Sequence, residues 1–457
     1  MQRFVMIGLI SALVLAVPAV AARAEVVIGG DVETRLFYSN NLSDGNSSRN
    51  DQEGFADGRF RLKLAAAGGV GAGVLWIDFL NTTGRSAATL DTGATDAIGR
   101  RRYGAAGFGG AADAIGVREA YLRLNLPAAT LLLGRHAVRL GNGLLLDDVA
   151  DGLSVVFPLG PTSLTFGGFK LIEADANAAA PTTGVDTDLV IANLAIAPPG
   201  RWLLQLFALA LRDRGPGLTL TPAGADGGCG GAANCPLGAY GNGLAMVYAA
   251  GFSVESSGMP LRLGLETDLL HGAVTTHDPT AFNLGARRVA VDGLNVLARA
   301  GFAQPRWDLG LTALYSSGQN PHDDPAAGGH KLNLNAIAPN YVFGYILVNN
   351  DTHSDRDGGN VGNLLGARAA LGVALTPDLR AELAVLWART RERAAIGAPT
   401  KLGYEFDAGL GYRFDAHVQW SNGLGILVTG DAWPAVRGDP AATNNLIKVF
   451  SKLSVTF

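Results

Sequence analysis

Apolar and polar residues alternate with a period of two through much of the chain. In "EFDAGLGYRF" (405–414), Glu405, Asp407 and Arg413 share one parity, and every residue of the other parity is apolar. The stretches "RFRLKL" (59–64) and "LRLGLETDL" (261–269) behave in the same way. Side chains of a strand point alternately to opposite faces, whereas a helix repeats its apolar positions every three or four residues. The pattern therefore predicts strands with one charged face and one apolar face.

The connections between these stretches alternate between short and long. Short joints such as "AGG" (67–69), "PAA" (127–129) and "DA" (415–416) are followed by long segments rich in Gly, Asp and Asn, for example 81–112 and 316–360. Outer-membrane β-barrels have this organisation, with short periplasmic turns and long extracellular loops. The charged face of each strand would then point into a water-filled lumen, and the apolar face would contact lipid.

Counting on this scheme gives about eighteen strands. They cover residues 28–40, 55–66, 70–80, 115–126, 130–140, 151–157, 162–172, 186–197, 201–212, 239–253, 260–270, 289–301, 306–315, 361–374, 379–391, 402–414, 417–428 and 446–457. An even number returns both termini to the periplasm. Because strand boundaries read from sequence are imprecise, sixteen strands is the alternative. The predicted fold is all-β: a transmembrane, antiparallel, up-and-down barrel.

The two ends of the chain indicate export. Residues 1–24 combine Arg3, a long apolar run and the small-x-small site Ala22-Arg23-Ala24, which predicts a cleaved signal peptide rather than a retained membrane helix. Residues 25–457 then form a single barrel domain. The chain closes an alternating strand with Phe457, which resembles the terminal signal read by the barrel-assembly machinery. The expected location is the bacterial outer membrane, with its lipids and lipopolysaccharide as surroundings.

Composition agrees with a barrel and excludes some other classes. The mean hydropathy is +0.20, yet after the leader no stretch reaches the ~20 consecutive apolar residues of a spanning helix. Removing the leader takes away two of 36 cations and none of 40 acids, so the mature charge is 34 − 40, or −6. This mildly acidic total argues against a dedicated nucleic-acid binder.

Neither catalysis nor a cofactor is predicted. The histidines fall mostly in loops and show no Ser/His/acid or HExxH spacing. The segment "DRDGGN" (355–360) is rich in oxygen ligands but lacks the full calcium-loop pattern, so no metal site is expected. Cys229 and Cys235 lie close together in a loop, which predicts a disulfide; a redox or metal-binding pair would need a nearby His or another Cys.

Strand parity gives a set of candidate pore-lining residues. An eighteen-stranded barrel is too wide for wall side chains to fill, so charged inward positions would meet water. The candidates are Arg35, Arg59, Arg61, Lys63, Glu119, Arg123, Arg135, Arg139, Arg262, Glu266, Asp268, Arg299, Arg368, Arg380, Glu382, Glu405, Asp407 and Arg413. Cations outnumber acids in this set, which favours anions in the lumen. Alternatively, the charges pair across the barrel and only solvate its wall.

Three stretches resemble the alginate export family of outer-membrane proteins. They are "LLLGRHAVRLGNGLLLDDVADGLSV" (131–155), the region from "LYSSGQNP" to "RAELAVLW", and "KLGYEFDAGLGYRFDAHVQWSNGLGILV" (401–428). The resemblance implies an eighteen-stranded barrel whose arginine-rich lumen passes an anionic polysaccharide outward. On that analogy Arg135 and the strand arginines line the conduit, and segment 316–360 could fold over or into its mouth.

The resulting hypothesis is a passive outer-membrane channel that exports an anionic polysaccharide. The first alternative is a general or substrate-selective porin for uptake of small anionic solutes. The second is a structural barrel around a periplasmic partner. Neither direction of transport nor cargo follows from the fold.

Overall fold

A computed structural model gives the fold of the chain. It describes residues 25–40, 53–83, 113–172, 187–198, 200–213, 243–256, 260–276, 288–320, 322, 331–335, 341–347, 362–392, 398–434 and 443–457. The predicted signal peptide and the predicted disulfide between Cys229 and Cys235 lie outside these residues and stay predictions.

Nineteen strands occur within the described residues, and eighteen of them form the barrel wall. They are β1 (Glu25–Asn40), β2 (Glu53–Ala67), β3 (Gly71–Thr83), β4 (Asp113–Asn125), β5 (Thr130–Leu140), β6 (Leu146–Leu159), β7 (Thr162–Ile172), β8 (Thr187–Ile196), β9 (Trp202–Asp213), β10 (Gly243–Ser256), β11 (Leu261–Thr276), β12 (Arg288–Ala303), β13 (Trp307–Ser316), β14 (Lys331–Asn333), β15 (Leu364–Ala374), β16 (Leu379–Thr390), β17 (Lys401–Arg413), β18 (Val418–Thr429) and β19 (Leu446–Thr456).

The sheet closes on itself. Neighbouring wall strands pair antiparallel along the chain, and β1 pairs with β19, for example at Glu33 and Ser454. The short β14 pairs parallel with β12, while β13 pairs directly with β15, so β14 adds no strand to the count. Closure pairs the wall backbone without leaving an edge, as a spanning sheet requires. The predicted eighteen-stranded barrel is confirmed, and the sixteen-stranded alternative is wrong.

The two faces of the wall have opposite character. In β17, Phe406 is 48% exposed, whereas its neighbours Glu405 and Asp407 are 0% and 5% exposed. Leu383 in β16 and Val190 in β8 are also exposed apolar side chains. Apolar residues thus cover the outside of the barrel, and the polar parity points inward. This is the lipid-outside arrangement that alternation predicts for a membrane barrel.

Aromatic rings mark the periplasmic end of the outer face. Tyr412 and Phe414 meet edge to face with centroids 4.8 Å apart, and Phe302 and Trp307 lie 5.6 Å apart. Such rings are typical of the membrane–water interface. In the turn that follows β17, amide hydrogens of His417 and Val418 are donated to Asp415 and hold the pKa of that carboxyl below its usual value.

Within the part of the chain that the structure describes, no helix is long and apolar enough to cross a membrane.

Candidate functional site

A hairpin formed by residues 136–150, here called the inner hairpin, leaves the wall and enters the lumen. Pairing between β4 and β5 ends at Ala120 and Arg135, and pairing between β6 and β7 ends at Asp151 and Lys170. Pairing between β5 and β6 continues to Leu140 and Leu146. Above its base, the two arms of the hairpin therefore pair as strands only with each other, which allows the hairpin to bend away from the wall.

Two glycines lie opposite each other where the hairpin departs. Gly134 has φ +115°, a backbone conformation that other residues rarely adopt, and it is paired with Gly152. A Cβ at Gly134 would collide with the carbonyl oxygen of Ala120, and a Cβ at Gly152 with that of Gly168. Both positions thus need glycine because neighbouring strands approach too closely for a side chain.

One face of the inner hairpin is packed against the inside of the wall. His136, Val138 and Leu140 are buried and extend an apolar cluster that includes Phe169 and Leu209 of the wall. The ring of His136 contacts the Ser154 hydroxyl at 2.8 Å. The tip reaches across the lumen to β11, where the backbone N–H of Asn142 is donated to the Glu266 carboxylate.

The other face of the inner hairpin carries an ion pair. Arg139 Nε lies 3.7 Å from Asp147 Oδ2, and the Arg139 side chain is 56% exposed. At the hairpin base, Arg135 Nη1 lies 2.9 Å from Asp151 Oδ2. Arg139 therefore presents a cation to the space that the hairpin leaves open.

A second segment, residues 341–347 (the inner strap), also lies inside the barrel. Glu405 accepts the amide hydrogens of Ile346 and Leu347, both at 2.7 Å, and Asp407 accepts that of Tyr345 at 3.3 Å. Phe343 and Ile346 are buried among inward side chains of the wall, in the same cluster as Leu144 of the hairpin tip. The two inner segments thus narrow the lumen together.

Residues 333–335 are held against the inside of the wall by an amide network. The side-chain amide of Asn295 donates to the carbonyl oxygen of Asn335 at 2.6 Å and to Asp268 at 3.3 Å. The side-chain amide of Asn335 in turn donates to the Ser317 hydroxyl at 3.0 Å. Buried polar groups that are hydrogen-bonded in this way hold an irregular segment in one conformation.

The inward faces of β1–β4 and β19 form a cationic wall. Among the side chains that the structure describes there, eight are cations and five are acids. The cations are Arg35, Arg59, Arg61, Lys63, Arg118, Arg123, Lys448 and Lys452; the acids are Glu25, Asp31, Glu33, Asp78 and Glu119.

Glu33 lies at the centre of this wall. Its carboxylate contacts Arg59 at 3.2 Å, Arg35 at 3.7 Å and Lys452 at 3.7 Å. Arg35 and Lys452 also occupy directly opposed positions on neighbouring strands. Glu33 is thus the acid around which three cations of this wall lie, and Asp31 lies 3.9 Å from Arg59 as well.

Three further cations of the wall contact one tryptophan ring. The Trp76 ring has Lys63 Nζ at 4.9 Å and the guanidinium carbons of Arg61 and Arg118 at 5.3 Å each. These distances fit cation–π contacts. Two of the cations also have carboxylate partners, since Arg61 lies 2.7 Å from Asp31 and Arg118 lies 3.9 Å from Asp78. The positive charge of the wall is therefore held in place.

Four inward arginines of the opposite wall, here called the balanced wall, each pair with one acid. Arg299 pairs with Glu255 at 3.3 Å, and Arg368 pairs with Glu382 at 2.6 Å. Two further pairs lie closer to the periplasm and join Arg380 to Asp308 and Arg413 to Asp378. This asymmetry places the excess of positive charge on one side of the lumen.

The predicted site residues fall into distinct environments. Arg35, Arg59, Arg61, Lys63, Glu119 and Arg123 belong to the cationic wall; Arg299, Arg368, Arg380, Glu382 and Arg413 belong to the balanced wall. Arg135 and Arg139 belong to the inner hairpin and its base, and Arg262 is exposed near the periplasmic end of β11. Whether a solute touches them stays a prediction.

Four of the acids predicted to line the pore point inward but are buried and do not face the open lumen. Glu266, Asp268, Glu405 and Asp407 are at most 5% exposed, because they bond to the inner segments or to the network behind them. Strand parity gives their inward direction but not their partners. The sequence analysis did not identify Trp76 and Arg118 as inward residues. Trp76 pairs with Glu119 and Ile77 pairs with Val117, so Arg118 lies in a bulge of β4. Because the bulge changes the parity of β4 at this point, simple alternation does not predict that Arg118 points inward.

Substituting Gly134 with valine is expected to disrupt the inner hairpin. The valine side chain would collide with the carbonyl oxygen of Ala120. The backbone conformation at Gly134, φ +115°, is also one that a β-branched residue rarely adopts. We expect a loss of roughly 3 kcal/mol in unfolding free energy. Urea unfolding in lipid vesicles measures this change, with Gly168→Val as control because a Cβ at Gly168 meets nothing within 4 Å. Equal losses in both variants would contradict the assigned role of Gly134.

The fold and the lumen define the class: an eighteen-stranded outer-membrane β-barrel with inward-folded segments. The crystal structure of Acinetobacter baumannii OccAB1 matches with TM-score 0.56 and 10% identity, covering 96% of this chain and 99% of that chain. Pseudomonas aeruginosa OccK2 (OpdF) matches with TM-score 0.54 and 13% identity over 95% and 98%. OccK2 in complex with glucuronate matches with TM-score 0.52 and 12% identity over 94% and 98%. No protein-family model matches the sequence, and comparison with curated proteins gave no match.

These structures correct the expected family. The solved barrels that the chain resembles are Occ porins, so the resemblance to the alginate export family is wrong and the implied polysaccharide export is unsupported. The residues that carried the resemblance have architectural roles here. Gly134 starts the inner hairpin, Gly403 has φ +138° beside a bulge, and Glu405 and Asp407 anchor the inner strap. Barrels with inward segments share such requirements whatever they transport.

Proposed function

We propose that the barrel is a passive, non-enzymatic channel for uptake of small anionic solutes, with carboxylates as the preferred class. The observation that carries the proposal is the cationic wall, where cations outnumber acids among the described inward side chains. The balanced wall opposite offers no comparable surplus. An anion entering the constriction would thus be drawn to one side of the lumen.

The chemistry of the wall fits carboxylates. Guanidinium groups bind carboxylates through paired, charge-assisted hydrogen bonds, and three arginines of the wall lie on β1 and β2. The similarity to OccK2, whose structure was determined with glucuronate, supports the same class of solute. The inner segments favour small solutes because they fill part of the lumen.

Selectivity measurements test the proposal. Planar-bilayer reversal potentials in a salt gradient should show anion preference for the wild type. The variant Arg61→Gln/Lys63→Gln/Lys452→Gln should reduce the anion-to-cation permeability ratio by about threefold or more. The control Arg299→Gln/Arg368→Gln/Arg380→Gln removes the same charge from the opposite wall, where each of these arginines has its own carboxylate and cations are not in surplus, and it should change the ratio much less.

A pair of matched solutes tests the substrate class. Glucuronate and glucose share a pyranose ring, and only glucuronate carries a carboxylate. In a liposome uptake assay, glucuronate should enter faster than glucose because the cationic wall attracts the carboxylate. Faster glucose entry, a cation-selective wild type, or equal effects of the two triple variants would overturn the proposal.

A further inference from the structure

The extracellular edge of β16 and β17 carries two adjacent cations on its outer face. Arg389 and Lys401 are directly opposed residues of the two strands, and both are exposed. Just below them, Trp387 is opposed to Tyr404. We call these four residues the rim patch. Like charges in directly opposed positions repel each other, so this pairing is unfavourable unless an anion lies between them.

Within the described residues, no carboxylate forms an ion pair with Arg389 or Lys401. The Lys401 ammonium lies over the Tyr404 ring, 5.0 Å from its centroid. Other outward cations near the same edge are neutralised: Lys170 lies 2.8 Å from Asp188, and Lys331 lies 2.9 Å from Asp292. Among the described residues, the rim patch therefore differs from these two pairs because its cations have no carboxylate partner.

The rim patch lies at the level of the lipid headgroups of the outer leaflet. Arg389 stands ten positions after Leu379, which begins β16 and is opposed to Tyr412 of the periplasmic aromatic ring. Ten residues rise about 33 Å along a strand, or about 25 Å along the axis of a barrel with strands tilted by ~40°. The apolar band of outer-membrane barrels is also about 25 Å tall. The cations thus lie at the outer-leaflet border of that band.

We propose that the rim patch binds the phosphate of an outer-leaflet lipid, with lipid A of lipopolysaccharide as the occupant. The phosphate would accept hydrogen bonds from Arg389 and Lys401 and relieve their repulsion. The rings of Trp387 and Tyr404 lie below it, at the depth where acyl chains begin, and they favour a lipid over free phosphate. This site is on the outside of the barrel and is independent of the proposed transport function.

Native mass spectrometry of the full mature barrel tests this site. The wild type, incubated with bis-phosphorylated lipid A in detergent, should retain one lipid at least ten times more than Arg389→Gln/Lys401→Gln. The control Lys170→Gln/Lys331→Gln removes two outward cations that already have carboxylate partners and should retain lipid like the wild type. Fully dephosphorylated lipid A should bind the wild type as weakly as the rim-patch variant binds lipid A.

Four results would overturn the assignment. The first is equal retention by the rim-patch variant and its control; the second is equal binding of phosphorylated and dephosphorylated lipid. The third is displacement of lipid A by millimolar inorganic phosphate, and the fourth is a wild-type dimer that the rim-patch variant does not form, since either would assign the patch to another occupant. Heat-modifiable migration on gels confirms that each variant is folded before the comparison.

Discussion

Substituting Glu405 with alanine is expected to open the channel by at least about twofold in single-channel conductance. The Glu405 carboxylate is fully buried and accepts the amide hydrogens of Ile346 and Leu347. Hydrogen bonds to a charged group contribute about 1.5–3 kcal/mol each, so the inner strap would lose roughly 3–6 kcal/mol of anchoring. A strap released on this scale would leave the constriction for much of the time.

Glu382→Ala is the matched control for this experiment. Glu382 lies on the neighbouring strand and points inward, but it pairs with Arg368 rather than with a strap amide. Planar-bilayer recordings should therefore show larger, noisier currents for Glu405→Ala and only altered selectivity for Glu382→Ala. Glu405→Gln keeps one acceptor oxygen and should lie between the wild type and Glu405→Ala. Wild-type conductance in Glu405→Ala would show that the strap does not limit the current.

The wall of the barrel was predictable because alternation is a local property. For example, "RFRLKL" (59–64) shows by itself which of its two faces is apolar. The short turn "AGG" that follows it limits the register in which this strand can pair with the next strand. The predicted strand at 379–391 and the observed Leu379–Thr390 differ by one residue. Eighteen such segments define a closed sheet without any knowledge of long-range contacts.

The interior was less predictable because its contacts join distant parts of the chain. Glu405 and Ile346 are 59 residues apart, and Asn142 and Glu266 are 124 residues apart. A local signal for the inner hairpin was nevertheless present. Leu144, Leu145 and Leu146 form an apolar run in a segment predicted as a loop, and the run is buried where a solvent-exposed loop would be polar. Three buried leucines at a strand connection indicate a segment that folds inward.

Substituting Glu33 with glutamine is expected to destabilise the barrel and to make its stability depend on anions. Arg35, Arg59 and Lys452 would lose their shared carboxylate, and the two arginines are at most 7% exposed. We expect a loss below the roughly 3–5 kcal/mol typical of breaking a buried ion pair, because Asp31 remains 3.9 Å from Arg59. Urea unfolding in lipid vesicles at low ionic strength should show this loss.

The response to added anions distinguishes this effect from ordinary loss of a contact. Citrate or glucuronate should restore part of the stability of Glu33→Gln, because a bound carboxylate can replace the missing one between the three cations. Glu382→Gln removes a single, partly exposed partner of Arg368 and should cost about 0–1 kcal/mol. A similar loss in both variants, or a Glu33→Gln barrel indifferent to carboxylates, would contradict a cationic wall built to hold anions. Restoration by carboxylate but not by the same concentration of a neutral sugar would locate the anion at these three side chains.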